Sequence, residues 1–199
     1  MARVILFLAA NPLGTGPLRL SEEVREIEEG LRRSKKWEQF ELRQRWAVRP
    51  EDLRRAMLDY APHIVHFAGH GAGERGIVLE NEQGLSQLVS AEALSNLFAL
   101  FPGVECVVLN ACYSEIQADA IAKNVTYVVG MSQSIGDRAA IVFAVSFYDA
   151  LGAGKTVEFA YKFACNSLEL AGIPEHSTPV LKVNNYNRRK SSFHPQYDR

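Results

Sequence analysis

Two stretches of this sequence end in residue types that do covalent chemistry. His63-Ile64-Val65-His66-Phe67-Ala68 leads into Gly69-His70-Gly71, and Val104 to Leu109 leads into Asn110-Ala111-Cys112-Tyr113-Ser114. A thiol with an ordinary pKa of about 8.5 is only partly ionised near neutral pH, so an imidazole beside it and the amino end of a following helix favour the reactive thiolate. His70 and Cys112 are therefore the candidate acid/base and nucleophile. Gly69 and Gly71 allow close backbone approach, and the N–H groups of Gly71 and Cys112 are candidates for an oxyanion hole. Such a set performs acyl transfer: the sulfur attacks a carbonyl, the imidazole protonates the leaving amine, and water releases the acyl group.

The other reactive side chains form no comparable set. Cys106 lies inside its apolar run and Cys165 inside a helical pattern, so both read as core residues. His66 and His70 are four apart on a strand and its exit rather than on one helical face, which argues against a zinc pair. His66 reads as a strand side chain that fixes the loop, and His63, His176 and His194 join no constellation. Gly154-Lys155-Thr156 lacks the glycine that a phosphate loop needs five residues earlier, where Asp149 stands. Gly130-Met131-Ser132-Gln133-Ser134 fails as a serine-hydrolase elbow because it ends in Ser rather than Gly.

A shared substrate bond requires the two strands to be neighbours, and the alternation of elements supplies the means. Val4 to Ala10, Ile64 to Ala68, Val104 to Leu109 and Tyr127 to Met131 are short continuous apolar runs of the kind buried on both faces of a parallel sheet. Helical patterns lie between them: Leu20, Val24, Ile27 and Leu31; Leu53, Met57 and Tyr60 after Pro50; Leu94, Leu97, Phe98 and Phe101; and Glu115 to Lys123. Glu22 and Glu23 at the start of the first, with Arg32 and Arg33 at its end, complement the helix dipole. Phe40, Leu42, Trp46 and Val48 alternate with polar residues or alanine, as in a half-covered edge strand. Two further helices, Ile141 to Leu151 and Val157 to Leu168, precede a last strand, Pro179 to Val183. The pattern predicts an α/β three-layer sandwich around a mostly parallel sheet, whose working crevice lies beyond the carboxyl ends of the strands. Ala72 to Ser90 and Ser132 to Asp137 are long connections able to move beside that crevice, and the first has room for a hairpin with Ile77 to Leu79 as one arm.

Composition limits the function further. The chain has 199 residues, 47% hydrophobic and 23% charged, enough for one core-forming domain over residues 1–183 without staples. The net charge is −1, and the eleven basic residues between Arg19 and Arg55 are interleaved with nine acidic ones, so no nucleic-acid face is expected. Three cysteines cannot complete a disulfide framework, and the first apolar run is too short for a signal or a span, so the sequence reads as cytoplasmic and not membrane-bound. Residues 184–199, with Arg188-Arg189-Lys190, read as a basic, loosely ordered tail.

The segment His63 to Gly71, followed 42 residues after His70 by Cys112 within Val107-Val108-Leu109-Asn110-Ala111-Cys112-Tyr113-Ser114, resembles the two motifs of CHAT-domain peptidases, bacterial relatives of caspases and separase. The likeness continues through Val4 to Asn11-Pro12, Gly136-Asp137-Arg138-Ala139-Ala140 to Leu151, and Pro179-Val180-Leu181. It implies a caspase-haemoglobinase α/β fold, with His70 as general acid/base, Cys112 as nucleophile and Gly71 in the oxyanion hole. It also implies a protein or peptide substrate, a thioester route without any cofactor, and control by a sensor or adaptor protein in bacterial defence or regulated cell death. Relatives such as separase, which cleave after a basic residue, have an acidic side chain in the loop where this chain has Ser134. Ser134, Asp137 and Glu115 are the candidate substrate-binding residues. Asp137, ahead of Arg138-Ala139-Ala140, also fits a helix N-cap, and Glu115 fits any first helical turn. A caspase-like module that binds a peptide or protein without cutting it is the alternative, and a small-ligand or nucleotide sensor a third.

Overall fold

The continuous apolar runs form the middle layer of the molecule. In the computed structural model, which describes residues 2–188, six strands make one sheet: β1 (Arg3–Ala10), β2 (Phe40–Arg45), β3 (Ile64–Gly69), β6 (Cys106–Asn110), β7 (Tyr127–Met131) and β8 (Pro179–Val183). Their spatial order is β2-β1-β3-β6-β7-β8, parallel throughout except for the antiparallel pair β7–β8. The chain leaves β1 for β2 on one side and returns to β3 on the other. The β1–β3 junction is thus a switch point, where the connections diverge and open a crevice.

Side chains alternate across this sheet with period two, and each face has its own core. Ile5, Phe7, Ala9, Ile64, Ala68, Cys106, Val108, Tyr127 and Val129 pack on one side beneath α1 (Leu20–Arg33), α5 (Asp137–Gly152) and α6 (Val157–Leu170). Leu6, Leu8, Val65, Phe67, Val107, Leu109 and Val128 pack on the other beneath α2 (Pro50–Tyr60), α3 (Ala91–Ala99) and α4 (Glu115–Ile121). This is the expected three-layer α/β sandwich.

Several boundaries differ from the sequence reading. The edge strand stops at Arg45 because Ala47 takes a left-handed turn (φ 50°), which buries Val48 and leaves Trp46 outside the ladder. Helix α3 ends at Ala99, with Leu100 capping it in solvent. The connection Ala72 to Ser90 is mostly a hairpin, β4 (Ile77–Glu80) against β5 (Ser86–Val89), and buried Ile77 and Leu79 bind it to the α2/α3 core. Residue 184, expected to open the loose tail, is held in place. Asn184 donates to the carbonyls of Ala122 and Lys123 (3.0 and 3.1 Å), and a short helix, α7 (Asn185–Arg188), follows. Arg189, Lys190 and His194 lie outside the described residues.

Gly130 lets α4 sit directly on β7. A Cβ there would fall 2.8 Å from the Ala118 Cβ and 2.9 Å from the Ser114 carbonyl oxygen. Gly130→Ala should therefore displace the helix that follows Cys112, at a cost of about 1–3 kcal/mol. An unchanged urea midpoint would contradict this packing.

Candidate active site

Three neighbouring strands deliver their exits to one edge. The register pairs Ala10 with Gly69 and Ala68 with Asn110, so Asn11, His70 and Cys112 emerge side by side beyond β1, β3 and β6. Gly71 lies against the Cys112 backbone so closely that a Cβ would overlap the Cys112 carbonyl oxygen and come within 3.0 Å of its carbonyl carbon. Gly71 itself forms an isolated antiparallel bridge with Ile77. That bridge uses the Ala72 N–H (to the Gly76 carbonyl, 2.8 Å) and the His70 carbonyl (from the Val78 N–H, 3.0 Å). In this pattern the Gly71 N–H turns away from β4.

The hydrogen bonds of His70 assign roles to its two nitrogens. Nε2 lies 2.9 Å from the Gly16 carbonyl and 3.1 Å from Asn11 Oδ1. A carbonyl only accepts, so Nε2 carries a proton, and in the neutral ring the lone pair is on Nδ1. The β1–α1 connection thereby fixes the imidazole so that Nδ1 is the atom able to take or give a proton. That connection is itself held: the Asn11 N–H donates to Glu80 (3.1 Å) and the Leu13 N–H to the Gly84 carbonyl (2.8 Å).

Cys112 is half-buried and therefore reachable, whereas Cys106 is fully buried and burial pushes its thiol pKa up. The Cys112 sulfur lies 3.4 Å from Ser134 Oγ, accepts from the Ile135 N–H at 3.4 Å and faces the Ile135 carbonyl at 3.6 Å. Tyr113 has φ 54°, a left-handed conformation costing a β-carbon-bearing residue roughly 1–2 kcal/mol. The Tyr113 N–H is held by the Gln133 carbonyl (3.1 Å), and buried Ser114 bridges the Leu109 carbonyl and the Met131 N–H, both at 3.0 Å. The sulfur thus sits on a sharp turn braced against β7 and the loop after it.

Beneath the cleft lies a buried polar cluster on the α1/α5 side. Glu23 Oε1 accepts from His66 Nε2 (2.9 Å) and Asn110 Nδ2 (2.7 Å), and His66 Nδ1 meets the Tyr148 hydroxyl at 3.1 Å. Burial, before any neighbouring charge, holds the Tyr148 pKa well above its ordinary value. The hydroxyl therefore keeps its proton, and His66 joins it to Glu23 through its two ring nitrogens. His66 also stacks on Phe7 at 5.0 Å. It anchors α1 to the sheet rather than fixing the loop of His70.

Of the sequence candidates, His70, Gly71, Cys112 and Asp137 gather around the cleft, and Ser134 touches the sulfur. Glu115 does not join them. Its carboxylate is taken by Lys182 of β8 (2.7 Å), so its role at the helix start is structural. Asp137 is not the N-cap of α5; Gly136 holds that position, and Asp137 is the first helical residue. Its carboxylate binds the Arg19 N–H (3.1 Å) and Nε (2.6 Å), clasping the β1–α1 connection to α5. Sequence reasoning missed Asn11, Gly16, Glu23 and Asn110 as parts of the site. Asn11 was findable, since it follows a buried run just as Cys112 nearly does. Glu23 falls within the stripe Leu20, Val24 and Ile27, an acid where apolar residues belong.

The described residues contain no group of His, Cys, Asp and Glu that would hold a metal ion. No helix among them is long and apolar enough to cross a membrane.

Comparison with known proteins agrees with this architecture. The CHAT domain family matches residues 9–168. A Roc-COR-CHAT protease from an unknown prokaryotic organism is 26% identical in an alignment that takes in 90% of this chain. The chain spans 18% of the length of that relative. Among solved structures, caspase-1 from Spodoptera frugiperda superposes with a TM-score of 0.58 at 12% identity, covering 92% of this chain and 86% of its own. A secreted C11 cysteine protease from Bacteroides thetaiotaomicron, in complex with an irreversible peptide inhibitor, gives 0.54 at 13% identity over 77% of this chain and 57% of its own. At such identities these two show the fold alone, which is caspase-like.

Proposed function

The chain belongs to the CHAT domain family, and from that premise we propose that it is a cysteine endopeptidase working through Cys112 and His70. The observation that carries this reading is the cleft itself. A half-exposed sulfur and an imidazole whose Nε2 is tied to the Gly16 carbonyl line one crevice at the exits of adjoining parallel strands.

The Cys112 thiol gives its proton to His70 Nδ1, and the sulfur attacks the carbonyl carbon of the scissile bond and forms a C–S bond. The carbonyl oxygen becomes an oxyanion, which the N–H groups of Gly71 and Cys112 receive. The C–N bond then breaks, and His70 supplies a proton from Nδ1 to the departing amine. Water, deprotonated at Nδ1, attacks the resulting thioester, the C–S bond breaks, and a carboxylic acid leaves. The Gly16 carbonyl and Asn11 hold the Nε2–H throughout, so the ring keeps one orientation while Nδ1 cycles.

Activity is gated by a partner or neighbouring domain, in a sensing role of the kind bacterial defence or regulated cell death requires. The multidomain name of the Roc-COR-CHAT relative supports this, as does a resting cleft of only about 30 Å³. The Arg19–Asp137 clasp spans the two loops that would have to part.

The test is to let the protein, alone and with its genomic neighbours, cleave an unstructured polypeptide in the presence of hydroxylamine. A thioester route yields new carboxyl termini partly as hydroxamates. Products bearing only free acids would exclude the thioester, and no cleavage under any condition would favour the binding-module alternative.

A further inference from the structure

Past the ends of the ladder, the two halves of the site need another means of staying in register. His70 and Gly71 leave β3, Cys112 leaves β6, and the last paired residues are Ala68 and Asn110. From Gly71 the chain makes a single tight turn, Gly73–Arg75, before it enters β4. The turn is closed on itself by the Ala72 N–H on the Gly76 carbonyl (2.8 Å) and the Gly76 N–H on the Gly73 carbonyl (3.0 Å). Its tie to the nucleophile side comes from Gln117 on α4, whose Nε2 donates to the Gly73 carbonyl at 2.8 Å. Among the described residues, this is the single hydrogen bond that joins the chain beyond Gly69 to the helix behind Cys112. Packing alone does not account for a glutamine at this position. Gln117 is fully buried, and its Oε1 has no hydrogen-bond partner. The amide cannot turn over, because the flipped form would set Oε1 against the Gly73 carbonyl oxygen. A buried acceptor left unmade lowers stability, and the Gly73 carbonyl has the Gly76 N–H in any case. An apolar residue of similar volume would therefore serve the core at least as well, and what glutamine adds is a donor aimed at the loop of Gly71.

We infer that Gln117 is a positioning residue: by holding Gly73 it sets the spacing between the Gly71 N–H and the Cys112 N–H, the two donors of the oxyanion hole. The inference rests on the peptidase reading and deepens it by naming what fixes that hole across two strands. Gln117 lies behind the site and acts through Gly73 and Gly71. Without its bond, the turn Gly73–Arg75 is free to drift with β4, to which Gly71 is bridged through Ile77. Cys112 does not follow, because Ser114 and the Gln133 carbonyl brace its turn against β7 and the loop beyond. The donors then separate while the sulfur keeps its place. Tyr113 lies on the same path, since a Cβ on Gly73 would stand 3.8 Å from that of Tyr113, so the loop and the strained turn rest against each other.

The experiment compares two small reagents on the same sulfur. p-Nitrophenyl acetate forms a C–S bond through a tetrahedral oxyanion and expels nitrophenolate, whereas iodoacetamide alkylates by displacing iodide and forms no oxyanion. Rates at Cys112, followed by peptide mass and expressed relative to glutathione, are measured in the full chain, in Gln117→Met and in Gln117→Leu, two apolar replacements that keep the core filled. Each variant should hold its urea midpoint and lose about 10–100-fold in acetylation, while alkylation stays within about twofold. In a Gly71→Ala background, Gln117→Met should have little further effect, since both act on the same donor. The inference is overturned if the natural chain shows no acetylation advantage over glutathione, if the variants acetylate at the natural rate, if acetylation and alkylation fall together, or if the losses of Gly71→Ala and Gln117→Met multiply. A Cys112 inert to both reagents would instead overturn the peptidase reading.

Discussion

Replacing Cys112 with alanine should lower peptide hydrolysis by at least about 10⁴-fold, because the covalent route is lost with the sulfur and only binding and backbone donors remain. His70→Ala should cost about 10²–10⁴-fold, the usual contribution of a positioned acid/base. The double variant should be no worse than Cys112→Ala alone, since the two residues act as a unit. Stability should change little in either case. Cys112 is half-buried, and the hydrogen bonds of its sulfur to Ser134 and Ile135, at 3.4–3.6 Å, are the weak ones of a thiol. Initial-rate assays with urea unfolding of each variant check both halves. Hydrolysis that persists in Cys112→Ala would assign the activity elsewhere.

The sheet was readable because a strand buried on both faces must be continuously apolar, and Val4 to Ala10 or Tyr127 to Met131 has no other use for such a run. That the exits of β3 and β6 share an edge followed from parallel alternation once the strands were neighbours, which periodicity alone does not guarantee. What a continuous run hides is the identity of its two faces. His66 sits in such a run and Asn110 directly follows one, and nothing local says that both point toward α1. Only the register, with Ala68 opposite Asn110, places them on the face where Glu23 waits. Glu23 itself was masked by a correct but incomplete principle: an acid in a first helical turn complements the dipole whether or not it is buried. Asp137 misled in a related way, since one acidic residue near a helix start suits both the cap and the first turn. The chain resolved this by using Gly136 as the cap and giving the Asp137 carboxylate to Arg19.

The second large effect concerns a residue with no side chain. Gly71 runs over the backbone of Cys112, and an added methyl group would occupy the space of the Cys112 carbonyl oxygen, 3.0 Å from its carbon and 3.3 Å from the Cys112 nitrogen. The clash is backbone against Cβ, so no rotamer relieves it, and either the strand exit or the turn at Cys112 must move. The turn is already strained at Tyr113 and tied down through Ser114, so the Gly71 end is expected to give way. In the proposed mechanism that movement carries the Gly71 N–H off the developing oxyanion. Displacements of about 1 Å in such a constellation cost roughly 10²-fold, and losing an oxyanion donor about 10²–10³-fold. Gly71→Ala should therefore lower kcat about 10³-fold with little change in KM, while iodoacetamide still alkylates Cys112 at nearly the natural rate. Gly69→Ala is the control. A Cβ there meets the Ala10 carbonyl oxygen at 2.7 Å and the Phe67 ring at 2.8 Å, away from the sulfur, so it should cost about 1–3 kcal/mol of stability and far less catalysis. If the two alanine variants lose kcat equally, the intimacy of Gly71 with Cys112 serves packing alone, and the oxyanion has to be held by other groups.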